Sequence, residues 1–480
     1  MNLSRRSFMG GAFAAGILSG CRSAVVRVPA GSSEPNAPKL RLGVMSDIHV
    51  YYGGDGTDNL DVALAWFRAQ DVDGVVITGD LAHLGDFREL NDVGRAWDRA
   101  FPGNRGRDGR HVEKLFICGN HDFWFRAKGK PGAWAIADDP MKAWRLAFHE
   151  DFAPVWKKTV KGYTFIGASW PSKEKWSAAR TTSVTPPGAV EAIEAVGAAC
   201  DPKKPFFYLQ HQHPEGTVFG EILKGTDDGL ATAALSKFPN AVAISGHEHG
   251  PLTDERAVWQ GAFTSIEAGT MRNTTILPCG DIRAYENGSG GNNDAKMMSA
   301  LMTCDCAHGL LMDVYDDHLH LQRRDFFYDR PLGDDWIVPL PASASGPLNY
   351  EKRAKRAKAP EFAPDAWVTA RLQKRTNRHG DARTALGLTF AAAQVTRESR
   401  AYGYEIVVRD EKGCEWARTA AVDPIYNLPK VRAIRDWVTP AVDVDGVPAG
   451  TKLAAEVRPF DCWGNRGKAI VSEPVVMSRK

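Results

Sequence analysis

Short apolar runs recur along the first half of the chain, and each is followed at once by polar residues. The runs are uncharged and rich in Val, Ile, Leu and Phe, which predicts buried strands rather than amphipathic ones. They comprise residues 42–45, 74–78, 115–118, 205–209 and 241–245. A sheet of such strands, with helices between them, predicts an α/β domain.

The polar residues after these runs form five clusters in a fixed order. The clusters are Asp47-Ile48-His49, Gly79-Asp80, Gly119-Asn120-His121-Asp122, His211 and Gly246-His247-Glu248-His249. In an open α/β sheet, ligands bind in the crevice beyond the carboxyl ends of the strands. We therefore expect these residues to converge on one place, although they are spread over 200 positions of the sequence.

The converging side chains are of three chemical kinds. They are the carboxylates of Asp47 and Asp80, the amide oxygen of Asn120, and the imidazoles of His49, His211, His247 and His249, with His121 in addition. A mixed nitrogen and oxygen set without thiolates suits Mn, Fe, Zn, Co or Ni rather than calcium. Seven ligands are too many for one tetrahedral zinc, but they suit two ions that share a bridging carboxylate.

In these motifs the chain resembles the calcineurin-like metallophosphoesterases, whose pattern D-x-H, GD, GNHD, H and GHxH is complete here over residues 41–330. The resemblance implies a two-sheet α-β-β-α sandwich and two divalent metal ions, with Mn, Fe or Zn favoured. It implies hydrolysis of a small phosphorylated substrate by a hydroxide that bridges the metals.

The resemblance also assigns each residue a role. Asp47, His49 and His249 would hold the first metal, Asn120, His211 and His247 the second, with Asp80 as the bridge and His121 as the general acid on the leaving group. Many members of the family carry an aspartate three residues after the bridging one, where it orients the catalytic histidine. Here that position is His83, and Asp86 is a candidate substitute.

Taken singly, each cluster also has an ordinary structural interpretation. An Asp or Asn after a strand often only turns or caps the chain, so the metal hypothesis depends on all five motifs occurring together in order. For His213 the alternatives remain open: it supports a metal ligand or contacts phosphate, or it has only a structural role. His308, His318 and His320 fit no motif, and the last two lie in a predicted hairpin.

The N-terminus predicts export. Residues 4–9 resemble a twin-arginine signal, and residues 18–21, ending in Cys21, resemble a lipobox. Two interpretations remain open: a lipoprotein anchored in the cell envelope by acyl chains on Cys21, or an ordinary cleaved signal followed by a periplasmic protein. Residues 1–21 are thus predicted to be a signal and lipobox, and residues 22–40 a tether.

Composition limits the partners and the disulfides. The 480 residues carry 60 basic and 58 acidic side chains, a net charge of +2, which gives no electrostatic case for a nucleic acid polymer. The basic run 352–358 is interpreted as a solvated linker or short helix rather than a lipid-headgroup patch.

Of the cysteines, Cys118 is expected to be buried, whereas Cys414 and Cys462 could form a disulfide bond in an oxidising compartment.

Two further segments follow the catalytic region. Residues 331–364 have the proline-rich and small-residue composition of a linker, and residues 365–480 show short alternating runs typical of a β-sandwich. Residues 454–467 are similar to the closing hairpin of fibronectin type III domains. We interpret this C-terminal part as a packing or spacer module rather than a ligand-binding one.

The substrate is not identified by these patterns. Six tryptophans follow the GNHD motif and could form a wall over the metals or simply pack on the sheet; they are Trp124, Trp134, Trp144, Trp156, Trp170 and Trp176. Residues 272–308 predict a long insertion, either a lid or a disordered loop. A monoesterase and a diesterase remain open, and the rival is an envelope-anchored binding or scaffold protein without turnover.

Overall fold

The structure is a computed structural model that describes residues 37–51, 53, 56–126, 128–170, 185–219, 228–275, 302–303, 306–376, 380–396, 399–424 and 436–478. Residues 38–480 belong to one compact unit. The predicted signal, the lipobox with Cys21 and nearly all of the tether lie outside the described residues, as do Trp176 and most of the predicted insertion. Among the helices that are described, we find none with the length and apolar character needed to cross a membrane.

The regular elements alternate in the first half of the chain and become all-β in the second. The helices are α1 (Thr57–Ala69), α2 (Phe87–Ala100), α3 (Pro140–Phe148), α4 (Ala189–Ala199), α5 (Leu230–Leu235) and α6 (Tyr350–Arg356). Short 3-10 turns cover Pro102–Asn104, His121–Phe123, Ile136–Asp138 and Glu255–Ala257.

Fifteen strands precede α6 in the described residues. They are β1 (Leu40–Met45), β2 (Gly74–Ile77), β3 (Glu113–Phe116), β4 (Val155–Val160), β5 (Tyr163–Ala168), β6 (Phe206–Gln210), β7 (Ala241–Ser245), β8 (Val258–Gln260), β9 (Thr264–Glu267), β10 (Thr274–Thr275), β11 (Met302–Thr303), β12 (His308–Val314), β13 (His318–Asp325), β14 (Arg330–Pro331) and β15 (Trp336–Pro339). Each of the five predicted buried strands is present, within one or two residues of its predicted ends.

Two sheets form the first part of the molecule. The first has the order β14-β13-β12-β1-β2-β3, with β15 on β13, and the second has the order β4-β5-β6-β7-β9-β8. Strands β1, β2 and β3 are parallel neighbours, as are β5, β6, β7 and β9. The carboxyl ends of the parallel strands in each sheet therefore lie along one edge.

Alternate side chains of the strands face two different cores, as period-2 geometry requires. Leu42 and Val44 of β1 share a buried cluster with Phe207 and Leu209 of β6, so the two sheets pack on each other. The opposite face of the first sheet packs on α1, α2 and α3, and that of the second sheet on α4 and α5. The predicted mixed α/β architecture is confirmed, and its layers run helix, sheet, sheet, helix.

The stretch 331–364, predicted to be a linker, contains regular structure. Strand β15 pairs antiparallel with β13 and extends the first sheet. The basic run begins inside α6, so it is a short helix over Tyr350–Arg356. The sequence did not predict strand β15, and it left helix α6 open as one of two alternatives, because each element is too short to show a hydrophobic period and is surrounded by prolines and small residues.

The C-terminal part consists of short and medium strands in two sheets. The strands are β16 (Val368–Thr376), β17 (Ala382–Ala391), β18 (Gly403–Asp410), β19 (Glu415–Val422), β20 (Trp437–Val438), β21 (Ala441–Asp443), β22 (Lys452–Phe460), β23 (Ile470–Val471) and β24 (Val475–Val476). One buried cluster takes Leu386 and Phe390 from the first sheet and Tyr404, Ile406 and Val457 from the second. This arrangement is consistent with the predicted β-sandwich, and the likeness to fibronectin type III domains stays a prediction.

Candidate metal centre

The loops that leave the parallel strands bring the predicted site residues to one edge of the two sheets. Asp47 and His49 follow β1, Asp80 follows β2, and Asn120 and His121 follow β3 in the first sheet. His211 follows β6, and His247 and His249 follow β7 in the second sheet. Because both sheets contribute, the site lies where their carboxyl-terminal edges meet.

Five of these eight residues have a left-handed backbone conformation. The φ angles are 53° at Asp47, 48° at His49, 51° at Asp80, 76° at His247 and 56° at His249. A positive φ is uncommon for a residue with a side chain, although Asp and His tolerate it better than most. The backbone at this edge is therefore strained, as is frequent at functional sites.

Glycines next to the donors make the close approach of the loops possible. A Cβ atom at Gly79, which has a φ of 108°, would lie 2.5 Å from Nδ1 of His211. A Cβ atom at Gly246 would lie 1.9 Å from Oγ of Ser46. Any side chain at either position would push the two sheets apart at the site.

One group of donor atoms comes from Asp47, His49, Asp80 and His249, whose ligand atoms all lie within 4.8 Å of one another. Nε2 of His49 is 3.1 Å from Nε2 of His249 and 3.6 Å from Oδ2 of Asp80. Oδ1 of Asp47 lies 3.2 Å from Nε2 of His249. Metal bonds of about 2.0–2.2 Å place neighbouring ligand atoms about 3 Å apart, so these separations fit a single ion.

A second group of donor atoms comes from Asn120, His211 and His247. Nε2 of His211 lies 2.9 Å from Oδ1 of Asn120 and 3.2 Å from Nδ1 of His247, which is itself 3.1 Å from the Asn120 oxygen. Oδ2 of Asp80 lies 3.3 Å from Nε2 of His211. The same Asp80 oxygen thus adjoins both groups, as a bridging ligand must.

The remote nitrogens of three imidazoles are engaged outside the donor groups. Nδ1 of His211 lies 2.7 Å from the Thr78 carbonyl oxygen, and Nδ1 of His249 lies 3.2 Å from the Asn273 carbonyl oxygen. Nδ1 of His49 lies 3.2 Å from Nδ1 of His83. A remote N–H that donates to a carbonyl leaves the other ring nitrogen with its lone pair towards the metal.

Electrostatics keeps the two carboxylates ionised in spite of their burial. Burial alone would raise the pKa of Asp47, but the charge of His249 and a hydrogen bond from it hold that pKa well below its usual range. For Asp80, burial is likewise outweighed by the charge of His211 and its hydrogen bond, so the pKa is lowered. Both residues can therefore present negative oxygens to a cation.

The four predicted histidine ligands differ in the direction of their pKa shifts. Burial lowers the pKa of His49, and burial together with the charge of His211 lowers the pKa of His247 to about 3. Burial opposes protonation of His211 too, but the Asp80 carboxylate raises its pKa to about 9, and Asp47 similarly raises the pKa of His249. A bound cation would displace these protons, so metal binding should release them.

The residues present fit two divalent metals. Oδ1 of Asp47 is buried, and its nearest partner among the described residues is Nε2 of His249 at 3.2 Å, which is itself one of the predicted metal ligands; an ionised oxygen buried with so few partners is costly. The donors are carboxylates, an amide oxygen and imidazoles in two groups that share Asp80. This set suits Mn, Fe or Zn, and it identifies the side chains that could hold the ions.

His121 lies beside the donors without joining the second group. Its backbone N–H donates to Oδ1 of Asp80 at 2.8 Å, and its Nδ1 lies 2.7 Å from the carbonyl oxygen of His83.

Asp86, the candidate substitute for the family's orienting aspartate, does not take that role. It accepts from the Arg88 N–H at the start of α2 and pairs with the Arg88 side chain. The backbone of His83 orients His121 instead.

Two neighbouring polar residues have structural positions. Asp122, the last residue of GNHD, accepts from the Ala82 N–H at 2.7 Å and from the Gly119 N–H at 2.7 Å, and so ties the loops after β2 and β3 together. His213 is buried, with Nδ1 2.6 Å from Oγ of Ser245 and Nε2 3.1 Å from Glu267. It supports the loop behind the site rather than joining either donor group.

The remaining tryptophans, histidines and cysteines named from the sequence lie partly at the site and partly in the surrounding fold. Trp124 and Trp170 adjoin the rings of His121 and His247, whereas Trp134, Trp144 and Trp156 pack in the hydrophobic clusters. His318 and His320 occupy ordinary strand positions, as predicted, and His308 lies in strand β12. Cys118 is buried, and Cys414 and Cys462 are both free.

The motifs did not reveal three further side chains at the site. The Tyr51 ring stacks on the His83 ring at 3.9 Å, and the Arg272 guanidinium lies 4.2 Å from the Tyr51 ring centre. The Arg126 guanidinium lies 3.1 Å from the Trp124 ring centre. None of the three belongs to a recurring motif, so only the fold brings them together.

The solved structures that resemble this chain are distant. A dimetal phosphatase from Danio rerio is 12% identical with a TM-score of 0.39, over 63% of this chain and 99% of its own. A predicted phosphoesterase from Streptococcus pneumoniae is 14% identical with a TM-score of 0.26, over 62% and 97%. A purple acid phosphatase from yellow lupin (Lupinus luteus) seeds is 13% identical with a TM-score of 0.37, over 65% and 54%.

These likenesses are too low to support an assignment, and no curated protein matches the chain. The assignment instead comes from a family match. Residues 40–251 match the family described as calcineurin-like phosphoesterase, and this segment contains all the donors found at the sheet edges. Residues 40–251 therefore belong to a calcineurin-like metallophosphoesterase domain.

Proposed function

We propose that this protein is a metal-dependent phosphoesterase that uses two divalent ions to hydrolyse a small phosphorylated substrate. The observation that supports the proposal most directly is the position of Asp80. Its Oδ2 adjoins His49 of one donor group and His211 of the other. Two ions that share one carboxylate can bind both the attacking and the leaving oxygens of a phosphoryl transfer.

When bound, the metal ions supply Lewis acidity and a nucleophilic water at neutral pH. The chain supplies the geometry and the proton. The His121 Nδ1–H donates to the His83 carbonyl oxygen, which leaves Nε2 to carry the proton that the leaving oxygen receives. The bond from the His121 backbone N–H to Asp80 keeps that imidazole next to the donors.

Asp80→Asn and His121→Ala separate metal binding from proton transfer. We expect Asp80→Asn to lose bound metal and activity, because an amide cannot bridge two cations as a carboxylate does. We expect His121→Ala to retain metal while kcat falls about 10²- to 10⁴-fold, the usual contribution of a general acid. The measurements are metal content and steady-state hydrolysis of mono- and diester substrates by the full-length protein with added Mn.

His318→Ala is the matched control, because His318 lies in a surface hairpin and pairs with Asp317. Its metal content and activity should equal those of the parent protein. Equal activity in Asp80→Asn, His121→Ala and the parent would contradict the proposal. Bound metal without hydrolysis of any ester would instead favour an envelope-anchored binding or scaffold protein.

The proposal includes a location at the cell envelope. It is supported by the twin-arginine pattern at residues 4–9 and by the lipobox that ends at Cys21. Acylation of Cys21 would anchor the domain to a membrane through the tether over residues 22–40.

A further inference from the structure

Two series of stacked groups meet beside the general acid. In the first, the Arg126 guanidinium lies 3.1 Å from the Trp124 ring centre, and that ring is 4.8 Å from the His121 ring. The Arg126 side chain is exposed. This series therefore places a solvent-accessible positive charge one aromatic ring away from the group that protonates the leaving oxygen.

The second series also ends at the His121 ring. The Arg272 guanidinium lies 4.2 Å from the Tyr51 ring centre, and Tyr51 stacks on His83 at 3.9 Å. The His83 ring is 5.1 Å from the His121 ring. Two arginines are thus connected to His121 through intervening aromatic or imidazole rings.

Both guanidinium charges are close enough to act on the His83 ring. Burial lowers the pKa of His83 to about 4, and the charges of His121, Arg272 and Arg126 add to that effect. The carboxylate that opposes them is Asp80, which is buried among the metal donors. Arg126 and Arg272 therefore add two positive charges on the His121 side of the site.

The opposite side of the site has a different character. There the Trp170 ring faces the His247 ring at 6.3 Å, and Oε1 of Glu248 lies 3.8 Å from Nε2 of His247. Arginine side chains lie near one side and a carboxyl group lies on the other, so an anionic substituent is better accommodated next to Arg126 and Arg272 than next to Glu248.

We propose that Arg126 and Arg272 bind a second anionic group, a phosphate or a carboxylate, on the leaving group of the substrate. This inference rests on the proposed phosphoesterase function and specifies its substrate class. The general acid marks the leaving-group side of the reacting phosphoryl group, and that is the side on which the arginines lie.

A pair of esters with the same shape and different charge tests the proposal. The probes are 4-carboxyphenyl phosphate and 4-carbamoylphenyl phosphate, with kcat/KM measured for the full-length metal-loaded protein. The variants are Arg126→Gln, Arg272→Gln and the double variant, with Arg383→Gln as a control at an exposed arginine that pairs with Asp445. The intrinsic difference in leaving-group reactivity is the same in every variant, so it cancels from the comparison.

We expect the carboxyl-to-carbamoyl ratio of kcat/KM to fall about threefold in each single variant and about tenfold in the double variant, as partly exposed charge pairs allow. The ratio should be unchanged in Arg383→Gln and should decrease in the parent as salt is raised. Binding of 4-carboxybenzylphosphonate and 4-carbamoylbenzylphosphonate, measured by calorimetry, should show the same preference without turnover.

A ratio that stays constant across the parent and all arginine variants, with turnover intact, would overturn this inference and leave the phosphoesterase proposal standing. Hydrolysis of neither ester, together with no hydrolysis of other phosphoesters, would contradict both. A preference for the carbamoyl ester that the double variant abolishes would show that the arginines act on the substrate in the opposite sense, and it would also overturn the inference.

Discussion

At the scale of single residues, His83 connects the metal donors with the general acid. Its ring nitrogen Nδ1 lies 3.2 Å from Nδ1 of His49, while its carbonyl oxygen accepts from His121. The two contacts use different parts of the residue, the side chain for one and the backbone for the other. They can therefore be separated by mutation.

Replacing His83 by Ala should weaken metal binding and spare proton transfer. The variant removes the partner of His49 Nδ1, and loss of such a partner typically lowers metal affinity about 10- to 100-fold. It keeps the carbonyl that orients His121, so kcat at saturating metal should change by less than about threefold. Competition with a fluorescent chelator measures the affinity, and steady-state assays at high metal measure kcat.

His111→Ala provides the comparison, because His111 is exposed and pairs only with a surface glutamate, Glu113, in the described structure. Its metal affinity should match that of the parent. If His83→Ala bound metal as tightly as the parent, the contact with His49 would have no role in holding the donors.

The donors themselves could be predicted from the sequence because each motif directly follows an apolar run. The residues around them could not. His83 acts on His121 through a backbone carbonyl, which no side-chain pattern reveals, and Arg126 and Arg272 are 146 positions apart. Their proximity arises from the way the loops after the strands fold back, and this is a property of tertiary structure.

At the scale of secondary structure, strands buried on both faces were predictable, whereas the edge strands β4 and β19 were not. Strand β6 is buried throughout and has an uninterrupted apolar sequence. Strand β4, at the edge of the second sheet, has two lysines and is mostly half-exposed, and β19 likewise mixes exposed and buried residues. An edge strand is stabilised by its neighbour on one side only, so its composition resembles that of a loop.

Helix α6 illustrates an element whose role depends on contacts rather than composition. The Tyr350 hydroxyl accepts from the Phe219 N–H at 2.9 Å and donates to the Arg256 carbonyl oxygen. The Arg353 guanidinium donates to the Val258 carbonyl oxygen at 2.8 Å and lies 5.2 Å from the Trp463 ring centre. A helix rich in basic residues therefore joins the phosphoesterase domain to the C-terminal strands.

Tyr350→Phe should destabilise the protein by about 1–3 kcal/mol. The substitution keeps the ring against Trp463 but removes both hydrogen bonds of the hydroxyl, each of which contributes about 0.5–1.5 kcal/mol. The Phe219 N–H and the Arg256 carbonyl oxygen keep only their direct contact at 3.3 Å. Urea unfolding monitored by tryptophan fluorescence gives the free energy of unfolding.

Tyr315→Phe serves as the reference, because its ring stacks on His318 at the surface and the described structure shows no hydrogen bond from its hydroxyl. We expect a change within about 0.5 kcal/mol there. A Tyr350→Phe variant as stable as Tyr315→Phe would mean that the hydroxyl does not contribute to joining the domains.

At the scale of the whole molecule, the C-terminal strands are in contact with the phosphoesterase domain. The Arg256 guanidinium lies 5.1 Å from the Tyr402 ring centre, and the Tyr350 ring is 5.2 Å from that of Trp463. Contacts of this kind orient one domain on the other. Their presence agrees with a packing role for the C-terminal part.

Cys21→Ala tests where the whole molecule resides. If Cys21 is acylated, the parent protein sediments with membranes and the alanine variant is recovered in the soluble periplasmic fraction, because the acyl chains supply the membrane affinity. Fractionation followed by immunoblotting measures the distribution, and Cys414→Ala is the control for loss of an exposed thiol. A parent protein found entirely in the soluble fraction would favour the ordinary cleaved signal.

The left-handed backbone at five of the site residues bears on whether the protein still performs chemistry. Each such residue is destabilising by on the order of 1 kcal/mol relative to an ordinary conformation. A single change to glycine at Asp47, His49, Asp80, His247 or His249 would relieve that strain and abolish a donor in the same step. Without selection for turnover, we would expect such stabilising changes to accumulate. The complete set of metal donors therefore favours an active enzyme over a catalytically inactive scaffold protein.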